Sequence, residues 1–320
     1  MMIPHDNYDD KELLAFLGQQ ESTDILWGDN HSDLLQERMA NGHILRGAKL
    51  PWANTHELIR FPGGKVTLWA GMNGHRKSML ASQVLMWFAQ TERVGIASFE
   101  MPIVDTMERL VYQASGCVPS AHFAKLWSAW NHERICYYDQ LDTVPSERVL
   151  GSIYYMANVM GCKHILIDSL TKCGLPSGDL GAEKRFMDTI AATAKALQIH
   201  IHIVCHVRKP SQGGEAYRPT KFDVRGAGEL TDLVDNLFIV WKDKKREALK
   251  RKMVAGVKFT EDEKTYYDKN PDQRLICEKQ RGGRWEGQIA LWFDDRSLQF
   301  IPNDSGRPLP FDIDELRAVS

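Results

Sequence analysis

The chain of 320 residues lacks an excess of charge of either sign: 40 Lys and Arg stand against 42 Asp and Glu, a formal balance of −2. No general basicity draws it to nucleic acid, so any such surface has to be local and offset elsewhere. Its six cysteines, Cys117, Cys136, Cys162, Cys173, Cys205 and Cys277, form no CxxC pair. That spacing argues against a zinc site and for ordinary reduced packing residues. Long apolar runs are missing too, and none approaches the roughly 20 residues that cross a bilayer. The opening segment, MMIPHDNYDD, is acidic where a signal peptide is basic and then apolar. A cytoplasmic protein with no membrane partner is expected.

Apolar residues make up 43% of the chain, enough for a sizeable core. Residues 1–45 are polar and acid-rich, with short apolar patches in ELLAFL and DLLQERM, and read as an arm with one or two helices. Residues 46–305 read as one α/β domain, and 306–320 as a tail. A turn at Phe61-Pro62-Gly63-Gly64 leads into the strand KVTLWAG, residues 65–71. Further strand-like runs are Val94–Phe99, HILIDSL (164–170), IHIVCH (201–206) and NLFIVW (236–241), separated by helical periods starting near Lys77 and from Glu183 to Leu197.

Such nearly continuous runs of apolar β-formers are the mark of parallel strands covered on both faces. The expected fold is therefore α/β, doubly wound or RecA-like, with a central mostly parallel sheet and helices on both faces. RLICEKQR and QIALWFDD, flanking Arg281-Gly282-Gly283, read as a terminal hairpin. The charged segment Lys242–Asn270 reads by default as a solvated helix or loop. His200 and His202 alternate onto one strand face without a nearby carboxylate, which favours a sheet role over a metal.

The strongest chemical signal is GMNGHRKS, residues 71–78, between a strand and a helical run. It fits the phosphate-loop pattern GxxxxGK[ST] except that Arg76 stands in place of the second glycine. Converging backbone N–H groups and a helix N-terminus make such a loop an anion cradle. Gly71, Asn73, Gly74, His75, Arg76, Lys77 and Ser78 are the candidate nucleotide contacts, with Lys77 reaching the terminal phosphates and Ser78 a magnesium ligand. Arg76 either weakens the loop, because a side chain blocks what glycine permits, or adds a phosphate contact.

Such a site also needs carboxylates on neighbouring strand tips. Asp168, closing HILID, suits a magnesium-associated role. Glu100, after VGIASF, suits the base that orients a water, and His206, after IHIVC, could sense the terminal phosphate or be a structural histidine.

The phosphate loop followed by SFEMP (98–102), ILIDSL (165–170), CHVRKP (205–210), RGAGELTDLVDNLFIVWKD (225–243) and EKQRGGRWEGQIALWF (278–293) resembles the helicase domain of the DnaB/Twinkle group of superfamily 4 hexameric helicases. The resemblance runs from about Gly64 to Phe300 and includes no primase domain. It implies hydrolysis of ATP or another NTP with Mg2+, in a homo-oligomeric, hexameric ring moving on single-stranded DNA during replication, with a primase or a helicase loader as partner.

The resemblance also implies residue roles. Glu100 is the catalytic glutamate, Asp168 the magnesium-associated aspartate and His206 the phosphate sensor, while Lys279 and Arg281 reach the neighbouring subunit's nucleotide. The segment after His206 would line a channel for single-stranded DNA, through Arg208, Lys209, Arg218, Lys221, Arg225 and the adjoining Gly228. Two alternatives stay open: a RecA- or KaiC-like DNA-dependent ATPase of recombination or replication initiation, and a nucleotide-binding assembly module with weak hydrolysis.

Overall fold

The computed structural model describes residues 27–40, 46–176, 178–208, 214–225, 227–304, 306–309 and 311. The chain divides into two units, Met1–Ile44 and Leu45–Ser320. In the first, a short 3-10 turn, Gly28–His31, runs into α1, Ser32–Ala40, which exposes Leu34, Leu35 and Met39. The DLLQERM patch is thus helical; ELLAFL lies outside the described residues.

The second unit grows from β1 (Lys65–Gly71), in which every residue after Lys65 is buried. There follow α2 (Lys77–Phe88), β2 (Val94–Ser98), α3 (Ile103–Ser115), α4 (Ala121–Asn131), β3 (Ile135–Tyr137) and α5 (Ser146–Asn158). Next come β4 (His164–Asp168), α6 (Leu180–Leu197), β5 (His200–His206), α7 (Ala227–Leu233) and β6 (Asn236–Lys242). The series ends with α8 (Lys244–Val254), α9 (Glu261–Lys269), β7 (Gln273–Gln280), β8 (Gly287–Asp294) and β9 (Gln299–Ile301).

These strands form one sheet in the order β3-β2-β4-β5-β1-β6-β7-β8-β9. From β3 to β6 every pairing is parallel, and β6 to β9 pair antiparallel. Side chains alternate across the sheet, so each parallel strand feeds two cores. On one face Trp69, Leu166 and Phe238 pack under α2, α3 and α4; on the other Val66, Leu68, Ile165 and Ile203 pack under α5, α6 and α7. The mostly parallel sheet with helices on both faces is as the run pattern implies.

Three expectations need correction. The β7–β8 hairpin is not terminal, because β9 adds a further antiparallel strand. The expected tail is anchored to the core at one point: Phe311 is buried and meets Trp87 edge-on at 5.7 Å, with Leu309 partly buried against the same core. The charged segment folds as α8 and α9 and is not simply solvated. Arg246 is 1% exposed; its Nε donates to Asp272 at 2.9 Å, its guanidinium reaches Asp304 and the Tyr267 carbonyl, and it stacks on the Tyr267 ring. A buried guanidinium persists only with its donors and charge matched in this way.

His164, His200 and His202 are all buried on the aromatic face, beside Phe61, Trp69 and Phe88. Their hydrogen bonds fix one self-consistent set of tautomers. Trp69 Nε1 donates to His202 Nδ1, so His202 Nε2 donates to His164 Nδ1 at 3.1 Å, and His164 Nε2 donates to Glu92 at 2.7 Å. His200 Nδ1 donates to the Pro62 carbonyl, which leaves its Nε2 to accept from Thr67. Every ring nitrogen has a partner, consistent with the sheet role read from the alternation.

Candidate nucleotide site

At the C-terminal edge of the parallel strands, the loop after β1, the tips of β2 and β5 and the turn after β4 line an open cavity of about 700 Å³. Its lining includes Asn73, Gly74, Arg76, Lys77, Ser78, Glu100, Arg109, Lys172 and His206. Gly71 is required where β1 turns into the loop, because a Cβ there would lie 2.5 Å from the Val240 carbonyl oxygen.

Lys77 opens α2, is 5% exposed, and donates to the Met72 carbonyl at 3.0 Å and to His206 Nδ1 at 3.1 Å. Burial pulls the Lys77 ammonium below its ordinary value, with Cys205, Asp168 and Glu100 opposing. Burial, and then Lys77, likewise lower His206. With Nδ1 accepting, His206 turns Nε2 toward Glu100, 3.9 Å away. Glu100 in turn accepts from Ser169 at 2.6 Å. Asp168 is buried and hydrogen-bonded to Ser78; desolvation raises its carboxyl to about 6, against the pull of Ser78, Arg109 and Lys77.

Lys77, Ser78, Glu100, Asp168 and His206 therefore meet in one connected cluster. The arrangement can bind a polyanion through a buried ammonium and a helix N-terminus. It can also offer hard oxygen donors, from Asp168, Ser78 and Glu100, to a cation such as Mg2+.

Arg76 has φ 62° and ψ 28°, the left-handed conformation for which glycine is the usual choice. Its guanidinium stacks 3.7 Å above the Phe293 ring of β8, an attraction that offsets backbone strain. Burial lowers the Arg76 guanidinium while Asp295, Glu247 and Asp272 oppose. Its side chain lines both the phosphate cavity and a second hollow beside α8. His75 is different. Its ring accepts from the Lys242 N–H, its carbonyl accepts from Gln273 Nε2, and it does not line the cavity. The His75 side chain and carbonyl thus tie the loop to β6–β7.

The segment after β5 doubles back as an antiparallel bridge between Val207 and Val224. The Arg208 N–H donates to the Asp223 carbonyl and the Arg225 N–H to the His206 carbonyl. This register sets Arg208 opposite Asp223 and Arg225 opposite His206; both arginines are exposed, and so is Gly228 in α7. Arg218 and Lys221 are held elsewhere: Arg218 donates to Gln288 on β8, and the Lys221 N–H to Glu278 on β7. Lys209 lies outside the described residues.

Lys279 and Arg281 are not at their own chain's cavity. Lys279 Nζ donates to the Thr231 and Asp232 carbonyls, and Arg281 donates to the Asp232 carbonyl. Backbone bonds tie Arg281 to Asp235, and Asp235 to Val66 at the start of β1. The length of β1, seven residues, separates them from the phosphate loop, roughly 20 Å at about 3.3 Å per residue.

Sequence reasoning missed Arg109, Ser169 and Lys172. Arg109 lies on α3 beside the buried Thr106 and Leu110, and burial lowers it while Asp168 opposes. A lone arginine on the apolar face of the helix after Glu100 was the available signal.

No family model matches the chain. It is 25% identical over 198 residues, 55% of this chain, to a DNA helicase/primase of Enterobacteria phage T3, and the match spans 35% of that protein, about a third of its length. Among solved structures, an ATPase domain superposes with a TM-score of 0.68 at 14% identity, covering 86% of this chain and 98% of that one. A DnaB-like replicative helicase, solved in a study of its interactions with primase, gives 0.64 at 15% identity, covering 91% and 70%. The chain has the RecA-like fold of DnaB-type helicase ATPase domains, as its ordered sequence blocks imply.

Proposed function

We propose that this chain is the NTP-hydrolysing motor of a replicative DNA helicase, with residues 46–305 as the motor domain and residues 1–45 as an arm. One observation carries the reading. Lys77, Ser78, Glu100 and His206 line the cavity and the buried Asp168 bonds Ser78 beside it, while Lys279 and Arg281 are held at the opposite edge of the same sheet. Such a pair can complete only another copy's site, which calls for a homo-oligomer, and the fold favours a hexameric ring.

In this proposal Lys77 and the α2 N-terminus hold the β- and γ-phosphates of ATP or another NTP. Ser78 and Asp168 hold Mg2+, which when bound neutralises charge on the phosphates. Arg109, one residue of the same cavity, adds positive charge beside Asp168. Glu100 accepts a proton from the attacking water and aligns it. Arg281 from the next subunit stabilises the charge that develops on the transferred phosphoryl group, an effect worth about 10³–10⁵ in turnover elsewhere.

His206 connects this site to the rest of the chain. Its side chain contacts Lys77 and faces Glu100, and its carbonyl bonds Arg225. Two residues on, α7 begins, and the last turn of that helix supplies the carbonyls that hold Lys279 and Arg281. Loss of the terminal phosphate is thereby coupled to the Arg208–Arg225 surface, which tracks the phosphates of single-stranded DNA, and to the pair offered to the neighbour. Gly228, exposed in α7, extends that surface in the proposal. A primase, in keeping with the names of two of the relatives, or a helicase loader is the proposed protein partner, and the cytoplasm the proposed location. No described helix is long and apolar enough to cross a membrane.

The test is NTP hydrolysis with and without single-stranded DNA, together with particle mass. DNA-stimulated turnover that disappears in Lys77→Ala and in Arg281→Ala supports the motor. A monomer under all nucleotide and DNA conditions, or turnover indifferent to DNA, overturns it. Turnover stimulated by DNA without strand displacement on a fork identifies a translocating or recombination ATPase instead.

A further inference from the structure

Cys136, in the middle of the edge strand β3, and Cys162, in the turn before β4, bring their sulfurs to 3.3 Å across the intervening strand β2. Gly95 is the β2 residue paired with Cys136 on one side and Ile165 on the other. A Cβ at Gly95 would lie 2.5 Å from Met156 Sδ, so the absence of a side chain there gives Met156 and the two thiols their shared space. Cys136 is partly exposed and Cys162 is buried. The other cysteines lack such a neighbour: Cys117 is exposed, and Cys173, Cys205 and Cys277 are buried, with burial pushing each of these three thiols up to about 12.

We infer that Cys136 and Cys162 form a reversible dithiol–disulfide site, oxidised by a hydroperoxide such as hydrogen peroxide. The two thiols share a hydrogen bond, which lowers the Cys136 thiol and, together with burial, raises that of Cys162. Cys136, the accessible member, is therefore the attacking thiolate and Cys162 the resolving thiol. The Cys136 sulfur attacks one peroxide oxygen; the O–O bond breaks, hydroxide leaves and takes a proton to become water, and Cys136 becomes a sulfenic acid. The Cys162 sulfur then attacks that sulfur, the S–O bond breaks, and the hydroxyl leaves with the Cys162 proton as a second water. Two thiols are oxidised to one disulfide and one peroxide is reduced to two waters. The bridge would tie the outermost strand to the start of β4, at the end of the sheet away from the phosphate cavity, so it does not depend on what that cavity binds.

The full chain is treated with hydrogen peroxide, denatured, alkylated with iodoacetamide and mapped by mass spectrometry. The expected result is joint loss of alkylation at Cys136 and Cys162, a peptide pair cross-linked through them, and return of both thiols on adding dithiothreitol. In Cys162→Ser the resolving thiol is gone, and Cys136 is trapped by dimedone as a sulfenic acid. Peroxide that oxidises Cys117 while Cys136 and Cys162 both stay alkylatable overturns the inference. So does over-oxidation of Cys136 in the unaltered chain with Cys162 still free. Because the unaltered chain carries the decisive readout, a variant that fails to fold does not blunt the test.

Discussion

One strand, β5, carries three histidines with two fates. His200 and His202 end in a closed set of partners drawn from Thr67, Trp69, His164 and Pro62. His206, at the strand tip, shares Lys77 and faces Glu100 at the wall of a cavity. The first pair commits its hydrogen-bonding capacity to holding the sheet together; the third keeps a nitrogen turned toward a carboxylate and open space. A titratable group is thus available for chemistry where the fold leaves its second partner to be supplied from outside. The same holds for the arginines, since Arg246 is enclosed by Asp272, Asp304 and Tyr267 whereas Arg281 remains half-exposed.

The largest effect bearing on this contrast is at Arg281. If it completes a neighbour's site, Arg281→Ala lowers DNA-stimulated turnover by about 10³–10⁵ while nucleotide binding, measured by fluorescence, persists. Mixing it with Lys77→Ala subunits then restores part of the activity, since each lacks a different half of the site. Failure of the mixture to regain activity would place Arg281 outside catalysis. Next is His206→Ala, expected to lower turnover by about 10²–10³ with little change in unfolding midpoint. His164→Ala is expected to do the reverse, costing about 1–3 kcal/mol of stability through the unpaired His202 and Glu92, with turnover per folded molecule retained. Equal losses of stability in the two variants would erase the distinction between sealed and open histidines.

A pH series probes the sealed histidines directly. Burial, and then the neighbouring His164, push His200 down to about 3, against about 6.5 in an unfolded chain. Because the folded value is the lower, the neutral ring's contribution is complete above about pH 6.5 and is lost progressively as pH falls toward about 3. Urea midpoints should therefore decline as pH falls below about 6.5, and His200→Gln should flatten the decline. The smallest expected effect is at Arg76. Arg76→Gly relieves a left-handed backbone at a gain of about 1 kcal/mol but forfeits a comparable stacking energy on Phe293. Stability should stay nearly unchanged while turnover rises, and a fall in turnover would assign the guanidinium to the bound phosphates.

Much of the fold was legible because parallel strands buried on both faces must be apolar at nearly every position, as in Leu68-Trp69-Ala70 and Ile165-Leu166-Ile167. The strand tips were legible for the complementary reason that a polar residue ending such a run, Glu100, Asp168 or His206, stands out. Arg109 escaped because its relation to Asp168 is made by a helix crossing a strand, with no fixed spacing to read. Arg246 escaped because a run of charges looks solvated until the fold supplies Asp272 and Asp304 from far along the chain.

Local sequence was enough to set the alternation of strand and helix, the phosphate loop and the polar residues closing each strand, because hydrophobic period and loop chemistry act over a few residues. Which partners seal His164, His200 and His202 emerged only in the folded chain, as did His75 facing the sheet while Arg76 rests on Phe293. Folding also put Lys279 and Arg281 an entire strand length from their own phosphate loop. Those outcomes depend on register and crossing between segments that are remote along the chain, and only packing fixes them.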